Sequence, residues 1–226
     1  MLVESFAKYG EQRVLAATHG EGMVEELMSY DQDRYLSGRT GAEEFEVPLT
    51  QVTDESWLYY GKGGVVMNAL RALVGQEALD RSLQRLLQEH GGPDGRATTG
   101  DFLAILHDEV PEEYHEQVDE WLGEVVLYDL SVPAAMASQL PDGRYEVTVE
   151  LEASKLRGDS ATALDQTVDV AVYGADSLLA LEQPLLSGKD TTLIITVEAR
   201  PTRVTVDPFI RRLDRERSDN EKRVSP

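Results

Sequence analysis

The chain has 226 residues, long for one small unit and comfortable for two modest ones, and its 42 acidic against 21 basic residues give a formal net charge of -21. That field repels nucleic acid and anionic membrane surfaces, so neither is expected as a partner. No apolar run reaches the roughly 18 residues of a membrane span, Met1 to Ser5 lack the marks of a signal peptide, and the absence of cysteine excludes disulfides and thiolate metal sites.

Up to about Pro133 apolar residues recur at helical spacing; beyond it they mostly alternate. Glu4 to Ala17 reads as a helix stopping near His19-Gly20. Glu21 to Leu36 reads as a second, with Met23, Val24, Leu27, Met28 and Leu36 on its buried side. Ser37 to Thr53 is a loop, and Thr53-Asp54-Glu55 caps a single helix running to Val74, which Gly75 ends. Gln76 to Glu89 carries an apolar stripe of Leu79, Leu83, Leu86 and Leu87. Thr98 or Thr99 caps a helix containing Phe102, Leu103, Ile105 and Leu106, and Pro111 opens another facing inward with Tyr114, Val118, Trp121 and Leu122. After the Leu140–Arg144 turn, Tyr145 to Leu151 alternates strictly, and strands follow at Thr167–Tyr173, Leu178–Glu182, Thr191–Glu198 and Arg203–Val206. The charged tail from Arg211 to Pro226 is expected to pack only in part. The expectation is α+β: an antiparallel helical domain over residues 1–130, then a small antiparallel β-sandwich over 131–226.

Two stretches carry candidate chemistry: Val3 to Glu11 and Trp57 to Met67. By its position alone, Glu4 is a first-turn carboxylate that complements the helix dipole or pairs with Lys8. Tyr60 alone is an ordinary core aromatic with its hydroxyl at a surface. Gly61, Gly63 and Gly64 need more, because each costs a helix about 1 kcal/mol against alanine. They suit a place where another backbone or a ligand comes close.

Together these stretches resemble the zinc aminopeptidases of the membrane alanyl aminopeptidase family, the gluzincins. In that family a helix bearing H-E-x-x-H gives two histidine ligands and the general base, and a later helix gives a glutamate as third ligand in a pattern like E-G-x-A-x-Y-x-E. Glu4, Ala7, Tyr9 and Glu11 match that pattern, with Ser5 in place of its glycine. A later Y-x-K-G, holding the catalytic tyrosine, is matched by Tyr60, Lys62 and Gly63. Tyr30 to Leu36, Val47-Pro48-Leu49 and Val206 to Arg215 look like a bacterial branch in which the peptidase region follows an ABC-type permease.

The resemblance implies Glu4 as the third zinc ligand and Tyr60 as the catalytic group that stabilises the oxyanion, with Lys62 as architecture. It further implies a parent that hydrolyses N-terminal peptide bonds, takes peptide substrates, and is anchored through an upstream permease while this segment itself stays out of the membrane. No H-E-x-x-H occurs in the chain, although the family places it roughly twenty residues before the third ligand. His19, His90, His107 and His115 lack zincin spacing; the first two suit helix ends and the others a helix surface. The chain alone is therefore expected to hold no tightly bound zinc and to be inactive without the remainder of the catalytic domain upstream. The alternative is a non-catalytic peptide- or protein-binding extramembrane module of a permease. The peptidase reading requires Glu4 and Tyr60 to face one solvent-accessible concavity.

Overall fold

A computed structural model describes residues 2–42, 45–92 and 95–226. It is an α+β protein of two compact units, Met1–Val125 and Val126–Pro226. The division falls slightly before the expected 130/131 boundary, because the chain enters its first strand at Leu127.

The first unit is helical: α1 (Leu2–His19), α2 (Glu21–Gly41), a π-helical turn (Trp57–Lys62), α3 (Gly63–Val74), α4 (Gln76–His90), α5 (Thr99–Glu109) and α6 (His115–Gly123). The predicted helix to Val74 thus forms in two pieces, a wide turn and then α3. Thr98 caps α5 through a reciprocal pair with Asp101, which satisfies two backbone donors at the helix start. Met28, Tyr35, Leu58, Leu70, Leu79, Phe102, Leu106 and Val118 fill the core, each buried. Two expected core residues do not reach it: Met23 is 37% exposed and Leu87 72% exposed. Helical period alone does not say how wide the covered stripe is, and Ser82 takes a buried place on α4 by bonding back to the Ala78 carbonyl.

The second unit is built from β1 (Leu127–Gln139), β2 (Tyr145–Arg157), β3 (Ser160–Ala163), β4 (Gln166–Thr167), β5 (Val170–Tyr173), β6 (Leu178–Glu182), β7 (Leu185–Leu186), β8 (Asp190–Val197), β9 (Arg203–Val206) and β10 (Glu221–Arg223). β2 is the central strand of one antiparallel sheet, paired with β1 on one side and with β3 and β8 on the other. The other large sheet runs β10-β9-β5-β6. Val147, Val149, Leu151, Ile195, Val170, Val172, Val204 and Val206 from both sheets share one core. β1 was not anticipated as a strand. Pro133 lies where its register with β2 shifts, between Ser131 and Ala134, as suits a residue with no N–H to give the ladder.

The tail packs in part, as expected, held by a few buried residues among mostly exposed ones. Asp214 is 1% exposed and accepts from the Leu130 amide, the Glu216 amide and the Asn220 side chain. Tyr128 bonds to Leu213 and Arg215, Ala135 and Ala137 bond to Ser225, and β10 pairs with β9. The sequence looks solvated because its charges alternate with the few groups that anchor it. Burial raises the Asp214 carboxyl to about 7 from an ordinary 3.8, against the pull of those hydrogen bonds. An acid whose pKa is higher in the fold binds its proton there preferentially. Its stabilising contribution is complete below the unfolded value and lost as pH rises to about 7. Wild type should therefore lose stability relative to Asp214→Asn between about pH 4.5 and about pH 8, read by amide exchange at core positions of β2. A difference that does not vary with pH would contradict this.

Candidate functional site

Glu4 lies in the first turn of α1 and Tyr60 in the π-helical turn. The next residue, Ser5, donates from its hydroxyl to the Tyr59 carbonyl at 2.9 Å, which ties the start of α1 to that turn. A Cβ on Gly63 would stand 2.2 Å from Ser5 Oγ, and one on Gly64 would stand 2.4 Å from an Asp31 carboxylate oxygen. Gly61 meets the α2 backbone in the same way, 2.9 Å from the Asp31 carbonyl. The three glycines therefore let the turn and the start of α3 lie against α1 and α2 at backbone distance. Gln12 fixes the approach by donating to the Gly64 carbonyl at 2.8 Å.

This packing brings Glu4 and Tyr60 together. The Glu4 carboxylate is near enough to the Tyr60 phenol to be the largest cause of its raised pKa, and both residues are partly exposed. The guanidinium of Arg34 lies 4.6 Å from the centre of the Tyr60 ring, a cation–π contact on its face. Tyr59 meets Tyr60 edge-on at 4.7 Å. A π-helical turn is rare and recurs at functional sites, where its extra residue re-aims a side chain.

The rest of the first motif divides its work. Tyr9 is buried and donates to Asp80, which Arg13 also holds, tying α1 to α4. Glu11 pairs with Lys8 at 2.6 Å, and Lys8 reaches the buried Asp31 at 3.0 Å. Burial pushes the Asp31 carboxyl up to about 6 despite Lys8. Ala7 faces outward with Val3, Gly10, Val14 and Ala17, all exposed. These five residues repeat at alternating spacings of four and three, so the outer face of α1 is an uncharged seam of small apolar side chains. Glu4 and Glu11 border it.

Lys62 is not at the phenol. It is 1% exposed, bonded to Glu46 at 2.9 Å and to the Glu124 carbonyl at 3.2 Å. Glu46 also accepts from Tyr35 and Arg39, so one buried carboxylate joins α2 to the turn, and Lys62 carries the link on to the end of α6. Burial lowers the Lys62 pKa while Glu46 opposes the shift.

The histidines stay apart from Glu4. His19 and His90 close α1 and α4. His107 and His115 stack at 4.2 Å, with His115 Nε2 near the His107 and Val110 carbonyls. Among the described residues no group of three or more histidine and acidic side chains is placed to hold a metal ion. The donor set around Glu4 thus fits one ligand of a zinc site and not a whole one. No protein-family model matches the chain, and no curated protein matches it.

Sequence reading singled out Glu4, Tyr60 and the glycines but missed Arg34, Asp31 and the Ser5–Tyr59 bond. Nothing in the local pattern of Tyr30 to Leu36 marked the first two, because their partners Lys8 and Tyr60 lie on other elements.

Gly63→Ala should cost about 1–3 kcal/mol by overpacking, read by urea unfolding with fluorescence of Trp57 and Trp121. Adding Ser5→Gly should recover part of that loss, with a coupling of about 1 kcal/mol. Purely additive effects would refute the contact. Lys62→Met should cost about 3 kcal/mol by leaving Glu46 short of a buried partner, without altering the titration of Tyr60.

Proposed function

We propose that residues 1–125 are the third-ligand and oxyanion half of a gluzincin-type aminopeptidase catalytic domain, followed over residues 126–226 by a β-sandwich domain. The parent is a zinc peptidase of the permease-fused branch that hydrolyses N-terminal peptide bonds. The observation that carries this reading is the proximity of the Glu4 carboxylate to the Tyr60 phenol, whose pKa it raises although the two stand on different elements far apart in sequence. The uncharged outer face of α1 adds to it: such a seam beside a carboxylate suits the packing of a further helix, the kind that would bring histidines.

Glu4 is the residue that would hold the metal here, as its anionic oxygen donor. Zinc, when bound, supplies a water of lowered pKa and polarises the scissile carbonyl. Tyr60 keeps its proton at Oη and donates a hydrogen bond where negative charge develops on the peptide oxygen. The raised pKa suits that role, since a phenol that resists ionisation remains a donor. Arg34 braces the ring, and Ser5 holds the turn that carries it.

The gene sequence preceding Met1 is the first check. It should encode H-E-x-x-H roughly twenty residues before Glu4. A protein including that segment should hold one zinc per chain and cleave an aminoacyl para-nitroanilide. Glu4→Gln should lose the metal, and Tyr60→Phe should keep it while kcat falls about 100- to 1,000-fold. Residues 1–226 alone should hold substoichiometric zinc by atomic spectroscopy. Tight one-to-one binding by them, or an upstream segment without paired histidines, would sink the reading.

A further inference from the structure

The second unit treats its strand edges unequally. The outer edge of β1 is covered by the chain's own tail, through Leu213, Arg215 and Ser225. β8, on the far side of β2, has no strand on its other edge among the described residues. Its pairing with β2 runs without a bulge from Asp190 to Val197. From Thr191 to Val197 it carries no charge, no proline and no glycine. An edge strand that is long, regular and uncharged lacks every device that ordinarily blocks pairing with another chain.

Beside that edge lies a groove of about 300 Å³, lined by Leu193, Ile194 and Thr196 from β8 and by Glu182 and Pro184 at the end of β6. Ile194 is 67% exposed, and Leu181 and Leu185 are also exposed on the neighbouring stretch. β6 ends the other sheet, so two sheet edges flank the groove. We propose that β8 and this groove bind an extended segment of a partner polypeptide, which adds a strand to β8, seats alternate side chains against Leu193 and Ile194 and sets a basic residue against Glu182.

The kind of partner follows from the groove and from the charge. Strand addition draws affinity from main-chain hydrogen bonds and selectivity from alternate side chains, which is what a bare edge beside a mixed polar and apolar groove offers. Glu182 is the charged residue of the lining, Asp190 begins the strand, and the chain carries a net -21. A basic segment is attracted by that field, whereas a second copy of the chain is repelled. This inference rests on the β-unit and stands or falls apart from the zinc reading.

The test uses the full 226-residue chain and a short fluorescent peptide, acetylated and amidated, alternating valine with threonine and ending in lysine. Anisotropy should show saturable binding, with amide shift changes along residues 191–196 of the chain. Ile194→Lys and Glu182→Lys, each with wild-type circular dichroism, should weaken binding about tenfold or more. Of two peptides N-methylated on alternate residues, one should lose binding and the other keep it, because only one edge of the peptide meets β8. Retained binding by both, or shift changes confined to residues 1–125, would overturn the proposal. Self-association of the chain that Ile194→Lys abolishes would overturn it too, in favour of a second copy as the occupant.

Discussion

The arrangement in the helical unit depends on how closely one turn of backbone can approach two helices. Gly61, Gly63 and Gly64 remove the side chains that would hold Trp57–Lys62 away from α1 and α2. The helix loses some intrinsic stability by having three glycines, of the order of 1 kcal/mol each. In return Ser5 reaches the Tyr59 carbonyl and Gln12 reaches the Gly64 carbonyl, two bonds that are impossible at ordinary interhelical distance. The pairing of Glu4 with Tyr60 follows from that approach. Neither residue brings its own means of finding the other.

Charge is handled differently on the surface and inside. Most of the acidic excess is solvated, but a few acids are buried, and each is met by several donors. Glu46 collects Lys62, Arg39 and Tyr35. Asp214 collects two backbone amides and Asn220, while Asp207 accepts the Arg211 and Arg212 amides. Such sites contribute little net stability, since desolvation offsets most of the attraction, but each specifies which segments meet. Asp214 decides that the tail lies along β1, a placement hydrophobic pattern could not impose on so polar a segment.

Those same features mark what could be read from sequence. Periodicity located α4, α5 and β9 because their burial follows a regular period, and β6 and the Leu140–Arg144 turn were legible from their residues. β1 was not, since Pro133 and a run of small residues disguise its alternation. The π-helical turn was hidden because one inserted residue changes the hydrogen-bond ladder but hardly the pattern. In the candidate site, residue types at fixed spacing pointed to Glu4 and Tyr60, whereas Arg34 and Asp31 act across a helix interface that no local pattern encodes. That the tail packs in part was legible, but which residues anchor it was not, because polar anchors look like solvent-facing residues until their partners are known.

The approach of Glu4 to Tyr60 also bears on how the proposed half-centre would behave. A carboxylate that accepts from a phenol keeps the phenol protonated, and Tyr60 is held that way chiefly by Glu4. A cation arriving at Glu4 would neutralise part of that carboxylate's charge and weaken its hold on the phenolic proton. The phenol would then be free to turn its donor toward a substrate oxygen, and with an ordinary pKa near 10 it would still be protonated at neutral pH. Arg34 on the ring face lowers that pKa slightly, but as a weaker influence it does not reverse the balance. The phenol can therefore leave the carboxylate while keeping its own proton. That freedom is what the proposed metal ligand and oxyanion donor would need to share one corner of a site.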